Sequence, residues 1–322
     1  MMNIFPGGIR VGFGAAPIGN LLTEVSDEDA AAAVEGAWEA GWRYYDVAPH
    51  YGLGLAERRL GEVLRTKPRD QYVLSSKVGR LLVDAGTPKT DDEGYAVTTT
   101  LRRQWDFSRD GIRRSIDESL RRLGTDRLDV VYLHDPDDHF EPAVETGFPA
   151  LIELREEGVI GAIGAGMNQS EMLADFVKRA DLDVIMLAGR YSVLDHDALD
   201  DVLPACVDND VQVVAVGVFN SGLLSRERPK PGATFNYVPA GKDLVAAANQ
   251  VADICETNGV TMPAVALQFP LAHPAVAGVA VGCRNAGQVR RNAELASVEI
   301  PAQVWSDLRA AGLLRADAPT LS

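Results

Sequence analysis

The stretch YYDVAPHYGLGLAERRLGEVL, residues 44–64, organises the reading of the chain. A short strand, Arg43–Asp46, ends on a carboxylate. Tyr51 follows five residues later, with His50 beside it. A helix, Ala56–Arg65, comes next. This is a strand–loop–helix unit with ionisable groups gathered where the strand stops.

The same unit repeats on both sides. Strands are expected at Val11–Ala15, Arg43–Asp46, Tyr72–Ser75, Asp129–Leu133, Val159–Ala165, Asp183–Leu187, Val211–Val216 and Gly278–Val281. Several, such as VQVVAV at 211–216, are apolar without alternation, as strands covered on both faces are. Helical patterns lie between them: Asp27–Ala40, Arg109–Leu123 ending at Gly124, Pro142–Glu157, Ser170–Arg179, Ala198–Asn209, Asp243–Thr257 and Gly287–Leu295. Met262–Ala272 and Gln303–Ala311 add two more. Eight strands, each followed by a helix, match a (β/α)8 TIM barrel formed by residues 1–322 as one domain. An open doubly wound sheet is the other arrangement that such alternation allows, but its glycine fingerprint is poorly met. Gly12-Phe13-Gly14 leads into Ala15-Ala16-Pro17, not into a helix. Two connections are long, residues 79–106 and 217–241. In a barrel both fall on the face where active sites form, so they are expected to be functional loops.

Bulk properties narrow the partners. The formal net charge is −15, and a phosphate backbone calls for clustered Lys and Arg instead, so nucleic acid is not expected. Three scattered cysteines suit a reducing compartment and no zinc site. The N-terminus MMNIFPGGIR lacks a secretory pattern, and no apolar run reaches about 18 residues. A cytoplasmic chain with a small-molecule substrate and no membrane partner is expected. No His-x-His cluster calls for a metal.

Three successive strands end in chemistry. Asp46 closes the second, Lys77 follows the third in VLSSKVG, and His134 follows the fourth in VVYLHDPDDH. On a barrel they converge with Tyr51 on one rim. Each residue alone is commonly structural; the joint placement carries the argument. A free phenol titrates near pH 10, too high for ready proton exchange at neutral pH. A neighbouring ammonium favours the phenolate. Lys77 supplies that charge, Asp46 holds Lys77, and His134 bonds a carbonyl or hydroxyl oxygen. Hydride has to come from a cofactor.

These residues carry a resemblance over nearly the whole chain. The segment 44–64 and GIRRSIDESLRRLGTDRLDVVYLH, residues 111–134, resemble the aldo-keto reductases, whose Asp, Tyr, Lys, His tetrad corresponds to Asp46, Tyr51, Lys77 and His134. GFGAAPIGN, LHDPDDH, IGAGMN, GRYSVLD and GVFNSGLL are similar to a branch that oxidises aldoses such as L-fucose, L-galactose and D-threo-aldoses, or pyridoxal. The resemblance implies oxidation of a cyclic hemiacetal to a lactone with NAD or NADP. It implies cofactor contacts from Asn168, from Asn220, Ser221, Gly222 and Leu223, and from Gly282, Arg284, Gln288 and Asn292. Gly282 and Gln288 stand where NADPH-preferring members carry Lys and Arg, which leans toward NAD. Met186 and Val216 replace a common glutamine and tyrosine. His50 and Trp105, with Phe107 and His139 nearby, are expected at the substrate rim. Aldehyde reduction by the same tetrad, and cofactor binding without turnover, are the competing functions.

Overall fold

The computed structural model describes residues 2–236 and 238–321. Eight parallel strands follow one another around a closed barrel: β1 (Val11–Gly14), β2 (Tyr44–Asp46), β3 (Val73–Val78), β4 (Leu128–His134), β5 (Ile160–Met167), β6 (Val184–Ala188), β7 (Gln212–Val216) and β8 (Val276–Gly282). β8 closes on β1 from Val11↔Val279 to Gly14↔Gly282, so the ring leaves no open edge. This is the expected (β/α)8 barrel and excludes the open sheet.

Both strand faces are apolar for different reasons. Tyr44, Val73, Val130, Tyr132, Val184 and Val214 point inward and form the barrel interior. Their chain neighbours Tyr45, Leu74, Val131, Leu133, Ile185 and Val213 pack outward under the helices. The alternation of period two is real but invisible in composition, because both sides are buried. Ile4 and Phe5, on the N-terminal arm, join the interior group, with the Phe5 ring 4.9 Å from that of Tyr44. They close the end opposite the rim.

The outer layer includes α1 (Asp27–Glu39), α2 (Leu55–Leu64), α3 (Arg109–Leu123), α4 (Phe148–Glu156), α5 (Glu171–Arg179), α6 (Val202–Asp208), α7 (Lys242–Thr257), α8 (Met262–Gln268), α9 (Ala286–Ser297) and α10 (Ala302–Ala310). Ser26 and Ser108 cap α1 and α3 by accepting from the Asp29 and Gly111 amides.

Two departures matter for function. β3 runs on to Val78, so Lys77 belongs to the strand instead of following it. The connection 79–106 is an antiparallel hairpin, Arg80–Thr90 against Thr98–Trp105. Its tip folds around Asp91, whose carboxylate accepts from the Glu93 and Tyr95 amides. The connection 217–241 contains the turn Asn220–Gly222 and a short ladder, Thr234–Phe235 with Val238–Pro239.

Candidate active site

Parallel register sets the rim. Gly14 pairs with Asp46, Asp46 with Ser75, and Ser75 with Val130. Lys77 lies two residues beyond Ser75, opposite Tyr132. His134 ends β4 opposite Gly166, which pairs in turn with Met186. Tyr51 comes from the turn before α2. Gly52 has φ +62°, and a Cβ there would stand 2.3 Å from the Gly19 carbonyl oxygen. A Cβ on Gly19 would stand 2.8 Å from the Tyr51 carbonyl carbon. Two glycines therefore let the chain after β1 lie directly on the backbone of Tyr51 and fix it.

The four tetrad side chains meet. Lys77 Nζ is 2.6 and 2.8 Å from the Asp46 carboxylate oxygens, 3.2 Å from the Val47 carbonyl and 2.9 Å from Tyr51 Oη. Lys77 and Asp46 are both buried. Burial pushes the Asp46 carboxyl up and the Lys77 ammonium down, and their pairing opposes both shifts.

Behind Asp46 runs a chain of hydroxyls. Ser75 Oγ lies 2.8 Å from Asp46 Oδ1 and 2.9 Å from Tyr44 Oη, which is 3.1 Å from Tyr132 Oη. A carboxylate accepts only, and each hydroxyl has one hydrogen. With Asp46 ionised, Ser75 donates to it, Tyr44 to Ser75, and Tyr132 to Tyr44. Burial pushes both phenols up, which keeps them protonated. Three hydrogen bonds thus point toward the buried carboxylate.

His134 is buried, and its ring stands at 88° to that of Tyr51. Its Nδ1 is buried without a hydrogen-bond partner, while Nε2 lies 3.6 Å from Asp135 Oδ2. Burial first, then Arg80 and Lys77, hold the imidazole well below its usual range. A neutral ring with its proton on Nε2 leaves only a lone pair at the dry Nδ1, the cheaper arrangement. His50 accepts at Nδ1 from Arg103 Nε at 2.5 Å, and Arg80 Nη1 is 3.5 Å away. Burial and these arginines push His50 down to about 2.

A cavity of about 480 Å³ opens above these groups, lined by all four tetrad residues and by His50, Asp135 and Asn168. Gly166, Met186, Ala188, Val216, Gly217 and Ala280 contribute its apolar part. Glu93, Gly94 and Tyr95 at the hairpin tip, with Leu21 and Leu22, reach it from outside the barrel. Leu22 N donates to Gly94 O at 2.8 Å, tying these two segments together.

The remaining expected site residues divide. Asn168 and Gly282 line the cavity. Asn220, Ser221, Gly222 and Leu223 lie just beyond Gly217. Asn220 is turned inward, bonding Ser192 and the Gly189 carbonyl, and Leu223 is fully buried. Arg284, Gln288 and Asn292 follow Gly282: Gln288 Oε1 accepts from the Arg284 amide, and Asn292 donates to Cys283 Sγ. Trp105 does not join the lining. Its ring lies under Arg80, against Phe107 and His139, and the residue is 43% exposed. Sequence reasoning missed Ser75, Arg80, Arg103 and the hairpin tip. Among the described residues, no group of three or more His, Cys, Asp or Glu could hold a metal, and no helix is long and apolar enough to cross a membrane.

A family model described as the aldo/keto reductase family matches residues 10–312. The chain belongs to this family. It is 48% identical over 309 residues to a D-threo-aldose 1-dehydrogenase of Pseudomonas sp, covering 94% of each chain. It is 39% identical over 324 residues to a pyridoxal 4-dehydrogenase of Microbacterium luteolum, again covering 94% of each. The holo form of an aldo-keto reductase from Bacillus halodurans matches with a TM-score of 0.75 at 27% identity, over 96% of this chain and 93% of that one. The protein is an NAD(P)-dependent oxidoreductase of the aldo-keto reductase type.

The cavity fits a nicotinamide cofactor. The part of its lining beside Lys77 is apolar and mostly small: Gly166, Ala188, Val216, Gly217 and Ala280, with Met186. Two residues past Gly282, which lines the cavity, Arg284 Nε is buried without a partner. An apolar bed beside the phenol and a cation at the other end match the two ends of a dinucleotide.

Proposed function

We propose that this aldo-keto reductase oxidises the cyclic hemiacetal of an aldose at C1, giving a lactone. The 2.9 Å contact between the Lys77 ammonium and Tyr51 Oη, with Asp46 paired behind it, carries the reading. The reaction removes a proton from the C1 hydroxyl and a hydride from C1. Tyr51 takes the proton. Lys77 stabilises the phenolate that makes this possible, and Asp46 keeps Lys77 in place. His134 donates from Nε2 to the sugar oxygen and orients it. NAD(P), when bound, supplies the hydride acceptor. Asn168 is assigned to its carboxamide, the segment Asn220–Leu223 to its pyrophosphate, and Gly282, Arg284, Gln288 and Asn292 to its adenosine end. The similarity to a D-threo-aldose 1-dehydrogenase supports the substrate class.

NAD is preferred over NADP. A ribose 2′-phosphate needs cations, and neither Gly282 nor Gln288 offers one. That leaves Arg284, with its Nη2 on the Leu21 carbonyl at 3.1 Å, as the cation that such a phosphate would have to recruit.

The test is a panel of pentoses, 6-deoxyhexoses and pyridoxal with each oxidised cofactor, product identified as lactone or acid. Lactone formation from an aldose with NAD is expected. Reduction of simple aldehydes without any sugar oxidation overturns the reading.

A further inference from the structure

Two hairpin arginines hold residues of the cavity wall. The Arg80 guanidinium donates to Asp135 Oδ2 at 2.8 Å through Nη2 and approaches His50 Nδ1 at 3.5 Å through Nη1. One planar group therefore sets Asp135 and His50 side by side, and both line the cavity with Tyr51. Arg103 completes the arrangement by donating to His50 Nδ1 at 2.5 Å and to the His50 carbonyl at 3.0 Å, while its other end is anchored on Asp91.

This fixes the hydrogen-bond polarity of the wall. Arginine only donates, so the Nδ1 that it meets is the bare nitrogen, and the neutral ring carries its proton on Nε2. The hydrogen bonds of the His50 side chain among the described residues all run through Nδ1. Asp135 is the complement. Arg80 takes Oδ2, which leaves Oδ1 as an acceptor. Asp135 also has φ +43°, a left-handed backbone outside glycine, with its amide held by the Gly166 carbonyl at 3.0 Å. That conformation costs free energy and is retained at a cavity edge.

We propose that Asp135 and His50 form a hydroxyl-reading subsite for the carbon next to the one oxidised, as an acceptor and a donor on one wall. A hydroxyl both donates and accepts, so one group satisfies both. A substrate without it leaves Asp135 Oδ1 and the His50 N–H desolvated and without that partner, which penalises binding. The ligand class is a 2-hydroxy aldehyde or its cyclic form, and the proposal rests on the aldose reading above.

The experiment compares an aldose that is turned over with its 2-deoxy counterpart, in wild type, Asp135→Asn and His50→Phe. Asn tolerates the left-handed backbone. Arg80 then captures its amide oxygen, and the NH₂ faces the cavity where an acceptor stood. Wild type is expected to favour the hydroxylated sugar by at least about tenfold in kcat/KM. In each variant this ratio falls toward one, mainly through KM for the hydroxylated sugar, with cofactor binding and melting temperature checking the fold. A ratio unchanged in both folded variants overturns the subsite and leaves the aldose reading intact. If wild type rejects aldoses but oxidises another 2-hydroxy substrate, and the variants lose that preference, the subsite stands and the aldose reading fails.

Discussion

The two walls of the cavity are built by different rules. The inner wall comes from strands: Asp46, Lys77 and His134 sit at fixed places in a parallel register, and a buried chain from Tyr132 through Tyr44 and Ser75 points hydrogen bonds at Asp46. The outer wall comes from the hairpin, where Arg80 and Arg103 reach back to Asp135 and His50 and the tip residue Glu93 is half-exposed. A strand cannot slip without moving every side chain on it, so the proposed proton chemistry rests on the least adjustable part of the molecule. The hairpin is continuous with the barrel at its base and is held elsewhere only through loop residues such as Leu22 and His50, so its sequence can change with little disturbance to the strands. The proposed recognition rests on the two residues that the hairpin holds, Asp135 and His50.

The largest effects should come from breaking the inner wall. Tyr51→Phe is expected to lower kcat by about 10²–10⁴-fold, with cofactor affinity retained. Steady-state turnover beside cofactor titration checks this. Lys77→Met should lose as much turnover and also destabilise the fold by about 3–5 kcal/mol, since it strands a buried carboxylate. Adding Asp46→Asn should restore much of that stability but none of the turnover. Recovery of activity in the double variant would remove Lys77 from the proton step.

Ser75 sharpens the comparison at the next scale. Ser75→Ala removes the donor to Asp46 and cuts the chain from Tyr44. Denaturant unfolding should show a loss of about 1–3 kcal/mol. Combined with Tyr44→Phe, the losses should fall short of additive, because both changes break the same chain. Strict additivity would mean that the hydroxyls act independently.

What the sequence made legible follows the same division. Asp46, Lys77 and His134 each stand at or near a strand end, so the barrel rule alone gathers them, and Tyr51 is within reach through a five-residue turn. Arg103 and His50 are 53 positions apart, and the hairpin that unites them shows no strong period. Its first strand is buried at the base and exposed from Asp84 to Thr90, because most of it packs on nothing. Ser75 gave no signal because a serine inside a strand passes for a filler; only the register puts it opposite Asp46. Ile4 and Phe5 are too few to set a pattern, yet they close the barrel floor. β3 outlasts its apolar run because the closed barrel keeps the polar Ser76 and Lys77 in strand geometry as far as Val78.

The outer wall also leaves an acid signature. Unfolded, the His50 imidazole takes up a proton near 6.5; folded, it stays neutral down to about 2. Between those values the unfolded chain binds more protons, so stability falls as pH drops below 6.5. Such a histidine contributes up to about 1.4 kcal/mol per pH unit. His134 and His196 are shifted the same way, so the wild-type slope sums several groups. In His50→Phe, unfolding measured from pH 7 to 5 should show a slope lower by up to one proton. The slope is the readout, since the substitution also removes the acceptor of Arg103 and changes absolute stability. An unchanged slope means that His50 protonates in place, and the arginines do not hold it neutral.

The smallest effect separates the hairpin base from its tip. Trp105 is an aromatic beside the active face and was expected to touch substrate. It instead lies with its ring centroid 4.6 Å from the Arg80 guanidinium carbon, outside the cavity lining. An exposed cation–π contact of this kind contributes about 0.5–1 kcal/mol. Trp105→Ala should therefore lower stability by that amount and change kcat/KM by less than about tenfold, the factor that 1.4 kcal/mol would bring. The change should appear in KM, because Trp105 acts on substrate only by steadying Arg80 against Asp135. A larger loss in kcat would bring the hairpin base into the reacting site and dissolve the distinction between a wall that moves protons and a wall that reads hydroxyls.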